Sequence, residues 1–283
     1  MTKFIIKNKN NKTIAHIFCF TDYKNRKYKS KKDFINCLIE HVLETPEVGY
    51  AGFEDKANLH KHLMRAVFGW DKFNGVIKNN FDNKTIQNIL DGVLEKCHEK
   101  LQSKPTYVFI FPNFNKLKKD RMNGIGGFCS WKNTILIDIN QVKGWRNALK
   151  KTLCHEFHHS VIAVKRNPPT WTLLEGLVYE GMADNFAESI TGKASVWTRA
   201  LSKKECLDIF HKIEKLLNRS NEKVYQQVFF GRDEKYPFWA GYSIGYNLVK
   251  SHLKNNSDLN WNEISKLKPE EVLNGSDFTK SNR

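Results

Sequence analysis

The sequence predicts an α+β fold in which a small β-sheet lies in mostly helical surroundings. Apolar residues recur at helical spacing in the first hundred residues, strand-like apolar runs cluster between residues 107 and 139, and helical spacing returns from about residue 144. This order differs from the alternation of strand and helix that builds a parallel α/β sheet. We expect a mostly helical N-terminal region over 1–104 and a second domain over 105–283.

The N-terminal region has its clearest helical pattern just before residue 105. The apolar residues of this stripe recur every three or four positions: Ile86, Ile89, Leu90, Val93, Leu94, Cys97 and Leu101. The first twenty residues favour a β-hairpin instead, because Phe4-Ile5-Ile6 and residues 14–20 are strand-like on either side of a polar turn.

Further strands are predicted in the middle of the chain. Residues 107–111 form an apolar run closed by Pro112, and residues 128–131 and 134–139 form two strands around a tight turn at Lys132-Asn133. Helices follow, and Pro168-Pro169 separates the first two of them. The predicted helices cover roughly 145–166, 171–191, 203–218, 239–254 and 262–274.

The composition is that of an ordinary globular protein, with 40% apolar and 27% charged residues. No run of about 18 apolar residues occurs, so we expect no membrane span. The N-terminal apolar stretch is too short for a signal-peptide core, which favours a cytoplasmic location. The six cysteines are scattered and form no Cys-x-x-Cys pair, so we expect reduced thiols.

The net charge of +16 leaves two interpretations open. It is compatible with a basic nucleic-acid-binding protein, whose binding would weaken steeply with salt. The second interpretation is that the charge only reflects a composition rich in Lys and Asn. The lysines are spread along the chain without a nucleic-acid motif or interleaved aromatic residues, so we favour the second interpretation and expect no nucleic-acid partner.

The first of the later helices carries His155-Glu156-Phe157-His158-His159. Histidines four residues apart lie on one side of a helix, so His155 and His159 can bind one Zn²⁺. Glu156 lies beside the first ligand, where its carboxylate can accept a proton from water. His158 lies off this face and is not expected to be a ligand.

The opposite side of the same helix is apolar, which allows the helix to bury one face and present the other to a metal. Its apolar residues repeat every four positions: Leu149, Leu153, Phe157 and Val161. The alternative is a polar helix face with a chance match, which composition alone produces on the order of once per hundred chains of this size.

The next helix offers a third ligand. A hydrolytic zinc site needs three protein ligands and one open position. Glu180 follows His159 by 21 residues, enough for one helix to end and a second to pack back. Asp184 shares its face and could accept a hydrogen bond from the outer nitrogen of a ligand histidine. Glu175 lies about 140° away, which favours a solvent or salt-bridge role. A solvated acidic helix face is the alternative.

These segments resemble the YjaZ-like zinc-dependent proteases of bacteria. The resemblance covers about residues 105–280. It rests on the histidine motif, on Tyr179-Glu180-Gly181-Met182-Ala183-Asp184 and on the segment 239–246, which reads WAGYSIGY. The family has Leu where this chain has Met182. The resemblance implies a gluzincin-type, thermolysin-like zincin fold, one zinc ion and a peptidase that acts on peptides or proteins.

The implied mechanism uses Glu156 as general base and then as proton donor to the leaving amine. Tyr242 is the candidate donor to the tetrahedral intermediate, with a core-packing role for this tyrosine equally open. For Tyr246, packing in the core is favoured over a role as donor. A zinc-containing binding or regulatory protein without catalysis is the main alternative, although a structural zinc site has no need of a base at Glu156.

Overall fold

The computed structural model describes residues 2–20, 27–43, 45, 47–73, 81–165 and 171–279. The chain divides into two compact units, residues 1–165 and 166–283. The described strands all belong to the first unit, and the second unit is built from helices. The mixed composition confirms the predicted α+β class. Pro168-Pro169 lies outside the described residues.

The first unit contains a five-stranded sheet. Its strands are β1 (Thr2–Lys7), β2 (Thr13–Cys19), β3 (Thr106–Pro112), β4 (Ile125–Trp131) and β5 (Thr134–Ile139). Their order across the sheet is β1-β2-β3-β5-β4, with β2, β3 and β5 parallel and the outer strands β1 and β4 antiparallel to their neighbours. Asn133 has a positive φ of 53°, as a tight turn between β4 and β5 requires. Strand β4 is the last in the strand order and lies at an edge of the sheet.

The boundary predicted after residue 104 does not coincide with the division into units. Strand β2 pairs in parallel with β3, so that Ala15 lies opposite Thr106. The predicted N-terminal hairpin is thus part of the same sheet as the strands after residue 105. Whether residues 105–283 form a catalytic domain of their own stays a prediction.

Helices cover both faces of the sheet. They are α1 (Lys31–Leu43), α2 (Lys56–Phe68), α3 (Asn83–Lys100), α4 (Lys116–Arg121) and α5 (Trp145–Lys165). Side chains alternate between the two faces along a strand. On one face, Phe109 of β3 belongs to the apolar cluster that α1 and α2 also form. Helix α5 packs on β4, β5 and α3. The Cys97 and Cys154 sulfurs are 3.7 Å apart between α3 and α5, and each of the six cysteines, all of them described, is a reduced thiol.

The second unit consists of α-helices joined by short turns. They are α6 (Leu173–Thr191), α7 (Lys203–Ile213), α8 (Glu222–Phe230), α9 (Ala240–Asn255), α10 (Trp261–Ile264) and α11 (Pro269–Asn274). Helix α8 was not predicted. The predicted helix over 262–274 is two helices, because proline is favoured in the first turn of a helix and Pro269 begins α11. Among the described residues, no helix has the length and apolar character needed to cross a bilayer.

Helices α6 and α9 approach each other closely where both carry glycine. A Cβ atom on Gly181 would lie 2.2 Å from the carbonyl oxygen of Gly245, and a Cβ on Gly245 would lie 2.2 Å from that of Leu177. Any side chain at either position would overlap backbone atoms. The two glycines therefore set the distance between the helices.

Candidate active site

The two histidines of the motif stand side by side on α5. Their Nε2 atoms are 3.0 Å apart and their ring centroids 4.6 Å apart. His155 is buried and His159 is half-buried. His158 is fully buried, with its ring 6.3 Å from that of His159. The structure thus gives His155 and His159 the shared face that their spacing predicts.

The buried carboxylate of Glu156 lies against the edge strand β4. A Cβ atom on Gly127 would lie 2.6 Å from Glu156 Cγ, 2.7 Å from its Oε1 and 2.5 Å from Thr152 Cγ2. The space that a side chain at Gly127 would occupy is filled by Glu156, so the glycine is what allows the carboxylate to lie on the strand.

The neighbouring glycine accommodates an ion pair. A Cβ on Gly126 would lie 2.3 Å from Lys118 Nζ and 2.6 Å from Asp138 Oδ2. Lys118 forms a salt bridge with Asp138, and Asn113 Nδ2 donates to Asp138 Oδ1 at 2.7 Å. Burial raises the pKa of Asp138, while Lys118 and Asn113 act in the opposite direction. This pair joins α4 to β5 beside Gly126 of β4, and nothing in the local sequence pattern indicated it.

Glu175 and Glu180 have different surroundings on α6. Glu175 is part of a capping box: its Oε2 accepts from Thr172 N at 2.8 Å, and its own N donates to Thr172 Oγ1 at 3.2 Å. Glu175 therefore caps the helix, where the sequence suggested a solvent or salt-bridge role. Glu180 lies five residues further along α6 and is half-buried.

Asp184 is buried one turn after Glu180 and accepts a hydrogen bond from an indole. Trp197 Nε1 is 3.0 Å from both Asp184 Oδ1 and Oδ2. Ser243 Oγ of α9 donates to the Trp197 carbonyl oxygen at 2.9 Å, which fixes the turn that carries the tryptophan. Trp197 was missed in the sequence, because a single aromatic residue in a short turn has no periodicity.

The two tyrosines of the 239–246 segment differ in their contacts. The Tyr242 ring is half-buried, 5.1 Å from the Phe229 ring and 6.3 Å from the Trp197 ring. Tyr246 is buried, and its hydroxyl donates to Glu188 Oε2 at 2.7 Å. Tyr246 therefore has the structural role that the sequence favoured.

Tyr225 of α8 is a tyrosine that the sequence did not indicate. A Cβ on Gly176 would lie 3.0 Å from a ring carbon of Tyr225, and Gly176 lies one turn before Glu180 on the same face of α6. Burial raises the pKa of Tyr225 well above its usual value, and the charges of Glu180 and Glu222 raise it further. Its hydroxyl therefore keeps its proton at neutral pH, within the electrostatic influence of Glu180.

A comparison with known protein families identifies the family of this chain. A family model described as "Predicted Zn-dependent protease (DUF2268)" matches residues 86–274, which are 189 of the 283 residues. The chain belongs to this family. The description supports the zinc-protease part of the resemblance, and the match includes both α5 and α6. No curated protein matches the chain.

The matched region of this predicted zinc-protease family begins within α3 and ends with α11. Its description indicates a zinc-dependent hydrolase that acts on proteins. His155, Glu156 and His159 belong to the first unit, and Glu180, Asp184 and Tyr242 to the second. The joint role of these six residues is therefore a proposal.

Proposed function

We propose that the protein is a cytoplasmic, gluzincin-type metallopeptidase, related to the YjaZ-like proteases and built on a thermolysin-like zincin fold. His155, His159 and Glu180 hold one Zn²⁺, and Glu156 is the general base. One observation carries the proposal. Within a single unit, two histidine Nε2 atoms lie 3.0 Å apart next to a buried glutamate that lies against an edge strand.

The donor set fits zinc. Two ligands of a tetrahedral zinc with bonds of about 2.05 Å are separated by roughly 3.3 Å, close to the separation of the two Nε2 atoms. A catalytic site of two histidines and a glutamate leaves the fourth position open. Held by His155, His159 and Glu180, a zinc ion would supply a Lewis acid that polarises the scissile carbonyl and lowers the pKa of a water.

Glu156 then moves one proton through the reaction. Its carboxylate accepts a proton as the water oxygen forms a bond to the peptide carbonyl carbon. When the carbon–nitrogen bond breaks, Glu156 donates that proton to the leaving amine. The contact with Gly127 and Thr152 restricts the position of this carboxylate, and such positioning lowers the barrier of the proton transfer.

Residues of the second unit support the same reaction. Trp197 holds Asp184, whose role is to accept a hydrogen bond from the outer nitrogen of a ligand histidine and fix its tautomer. The protonated hydroxyls of Tyr242 and Tyr225 are the two candidates that donate to the developing oxyanion. Tyr225 is the first to be tested, because its ring lies against Gly176, one turn before Glu180 on α6.

The edge strand β4 suits an extended substrate. An edge strand exposes backbone groups on one side, and an extended peptide pairs with such groups by adding a strand. Because Glu156 lies against Gly127 of β4, a peptide bound along this strand would pass the general base. The expected substrate is therefore an unfolded or extended segment of a protein or peptide.

The decisive experiment combines zinc content with cleavage of a mixed peptide library. The purified protein should contain about one zinc ion and cut peptide bonds. Glu156→Gln should keep the zinc and lower cleavage by at least about a thousandfold, since the base is lost. Glu175→Gln is the matched control, because Glu175 caps α6 and should leave cleavage within about twofold.

The outcomes separate the alternatives. Zinc without cleavage of any peptide would favour a binding or regulatory protein. Equal cleavage by Glu156→Gln would remove the glutamate from the mechanism. Salt-sensitive binding of nucleic acid by a zinc-free protein would favour the basic nucleic-acid-binding alternative.

A further inference from the structure

A surface groove in the first unit lies outside the proposed active site. We name it the Trp70 groove; its volume is about 850 Å³. Helix α2, the loop after it and helix α4 contribute its lining residues: His60, Lys61, Met64, Arg65, Gly69, Trp70, Asp71, Asn115, Lys116, Leu117, Asp120 and Arg121. None of them belongs to α5 or to the strands, so the proposed mechanism gives the groove no role.

The groove carries the most exposed large apolar side chain among the described residues. Trp70 is 100% exposed, and Leu117 of α4 is 46% exposed on another part of the lining. Met64 adds a flexible apolar side chain. An exposed cluster of this kind marks an interaction site more often than a single exposed apolar residue does. Trp and Arg are the residue types that contribute most to binding at protein interfaces.

The framework of the groove is already formed. Asn115 Nδ2 donates to the Arg65 carbonyl oxygen at 3.3 Å, and Lys118 Nζ donates to that of Ala66 at 3.0 Å. The backbone N of Lys116 donates to Asp71 Oδ2 at 2.6 Å. These bonds join α4 to α2 and to the loop that carries Trp70. A ligand would therefore bind without first ordering the walls, which lowers the entropic cost of binding.

The charges of the lining favour an acidic ligand. Four cations (Lys61, Arg65, Lys116 and Arg121) stand against two carboxylates, Asp71 and Asp120. Lys116 engages both carboxylates, one through its backbone N and one through its side chain. Arg65 and Lys61 are both exposed on α2, one turn apart. The lining therefore has two more cations than carboxylates, and α2 supplies two of the four cations, Lys61 and Arg65.

The shape of the groove and its two carboxylates indicate which kind of acidic ligand fits: a bilayer, a nucleic acid or a peptide. A flat anionic bilayer cannot enter a concave groove, and two carboxylates in the lining repel the closely spaced phosphates of a nucleic acid. A peptide meets both conditions, since its acidic side chains reach the cations and its apolar side chain fills the space beside Trp70 and Leu117. Its backbone N–H groups can donate to carboxylates in the lining.

We propose that the Trp70 groove is a docking site for an extended acidic segment of a protein that carries an aromatic or large aliphatic side chain. The site is separate from the residues proposed for catalysis. It recognises its partner by one buried apolar side chain and by flanking carboxylates on the partner. Binding there does not depend on peptidase activity, so the proposal stands or falls independently of the proposed function.

Fluorescence anisotropy of a labelled octapeptide tests the proposal on the full-length protein. The probe has phenylalanine and leucine at its centre and two glutamates on each side, with both ends capped. Binding should weaken severalfold between about 50 and 200 mM salt, because screening grows over this range. Trp70→Ala and Arg65→Glu should each weaken binding by about tenfold or more.

Two controls make the result specific. Lys204→Glu changes an exposed charge on α7 of the second unit and should leave the affinity unchanged. A peptide with lysines in place of the glutamates should not bind. Because Trp70 and Arg65 are exposed, both variants should keep the melting temperature of the wild type.

Three results would overturn the proposal. The first is equal binding of the acidic and the basic peptide. The second is an affinity for the acidic peptide that neither Trp70→Ala nor Arg65→Glu changes. The third is an absence of peptide binding, with or without binding to vesicles of anionic phospholipid.

Discussion

The two units build their parts of the proposed site by different kinds of packing. In the first unit, a helix carries the histidines across a sheet, and side chains such as Glu156 and Thr152 fill the space above Gly127. In the second unit, the backbones of two helices touch at Gly181 and Gly245. Side chains can move by a few tenths of an ångström, whereas a backbone carbonyl in a packed helix cannot. Equivalent substitutions in the two units should therefore have different consequences.

The largest effect is expected at the contact between α6 and α9. In Gly245→Ala, the new Cβ would lie 2.2 Å from the Leu177 carbonyl oxygen. The helices must separate, and we expect the free energy of unfolding in urea to fall by about 3 kcal/mol. Gly92→Ala on α3 is the matched control. Nothing lies within 4 Å of its Cβ position, so the substitution should be neutral or slightly stabilising. Equal stability of Gly245→Ala and the wild type would contradict the close approach of the helices.

A smaller effect is expected from acid, and it should originate in the first unit. The His62 ring packs against two phenylalanine rings: the ring centroids are 4.0 Å apart for Phe128 of β4 and 5.0 Å apart for Phe53. Burial lowers the pKa of His62 to about 3, and the charges of Lys118 and Arg65 act in the same direction. In the unfolded chain a histidine titrates near its ordinary pKa of about 6.5. Between these pH values the unfolded chain binds a proton that the folded chain does not.

The contribution of His62 is thus complete above about pH 6.5 and decreases as the pH falls towards 3. At pH 5, His62 by itself should account for a loss of about 2 kcal/mol. Urea unfolding at pH 7.5 and pH 5 would measure this loss as the amount by which His62→Phe reduces the pH dependence of the wild type. The same pH dependence in His62→Phe and in the wild type would contradict the assignment.

The smallest effect on stability, but a specific effect on activity, is expected at the edge strand. Gly127→Ala places a Cβ against Glu156 and Thr152, and both neighbours are side chains that can shift. The free energy of unfolding should fall by about 1 kcal/mol, the low end of the cost of overpacking. Displacement of the general base should lower kcat/KM by about tenfold, or roughly 1.4 kcal/mol in the barrier. A loss of stability as large as that of Gly245→Ala would remove the distinction between the two units.

The local parts of this structure were predictable from the sequence. The shared face of His155 and His159 follows from helical geometry alone, and the β4–β5 hairpin follows from two strand-like runs around Asn133. The buried stripe of α3 follows from apolar periodicity. In each case the residues that interact are close together in the sequence.

The long-range parts were not predictable. The parallel pairing of Ala15 with Thr106 joins segments separated by three helices, and no periodicity encodes it. The bond between Trp197 and Asp184 depends on how a short turn packs against α9. Helix α8 was overlooked although Asn221 caps its first turn and Gly231 ends it in the left-handed conformation. Those two residues were the available signal, and through α8 they position Tyr225.

The central claim is that one zinc ion is held by His155, His159 and Glu180. A crystal structure of the zinc-loaded protein, with anomalous data collected at the zinc absorption edge, tests it most directly. We expect a single strong peak at about 2.0–2.1 Å from both Nε2 atoms and about 2.0–2.2 Å from a Glu180 carboxylate oxygen. A peak held by other residues, or a Glu180 carboxylate beyond bonding distance of the metal, would contradict it.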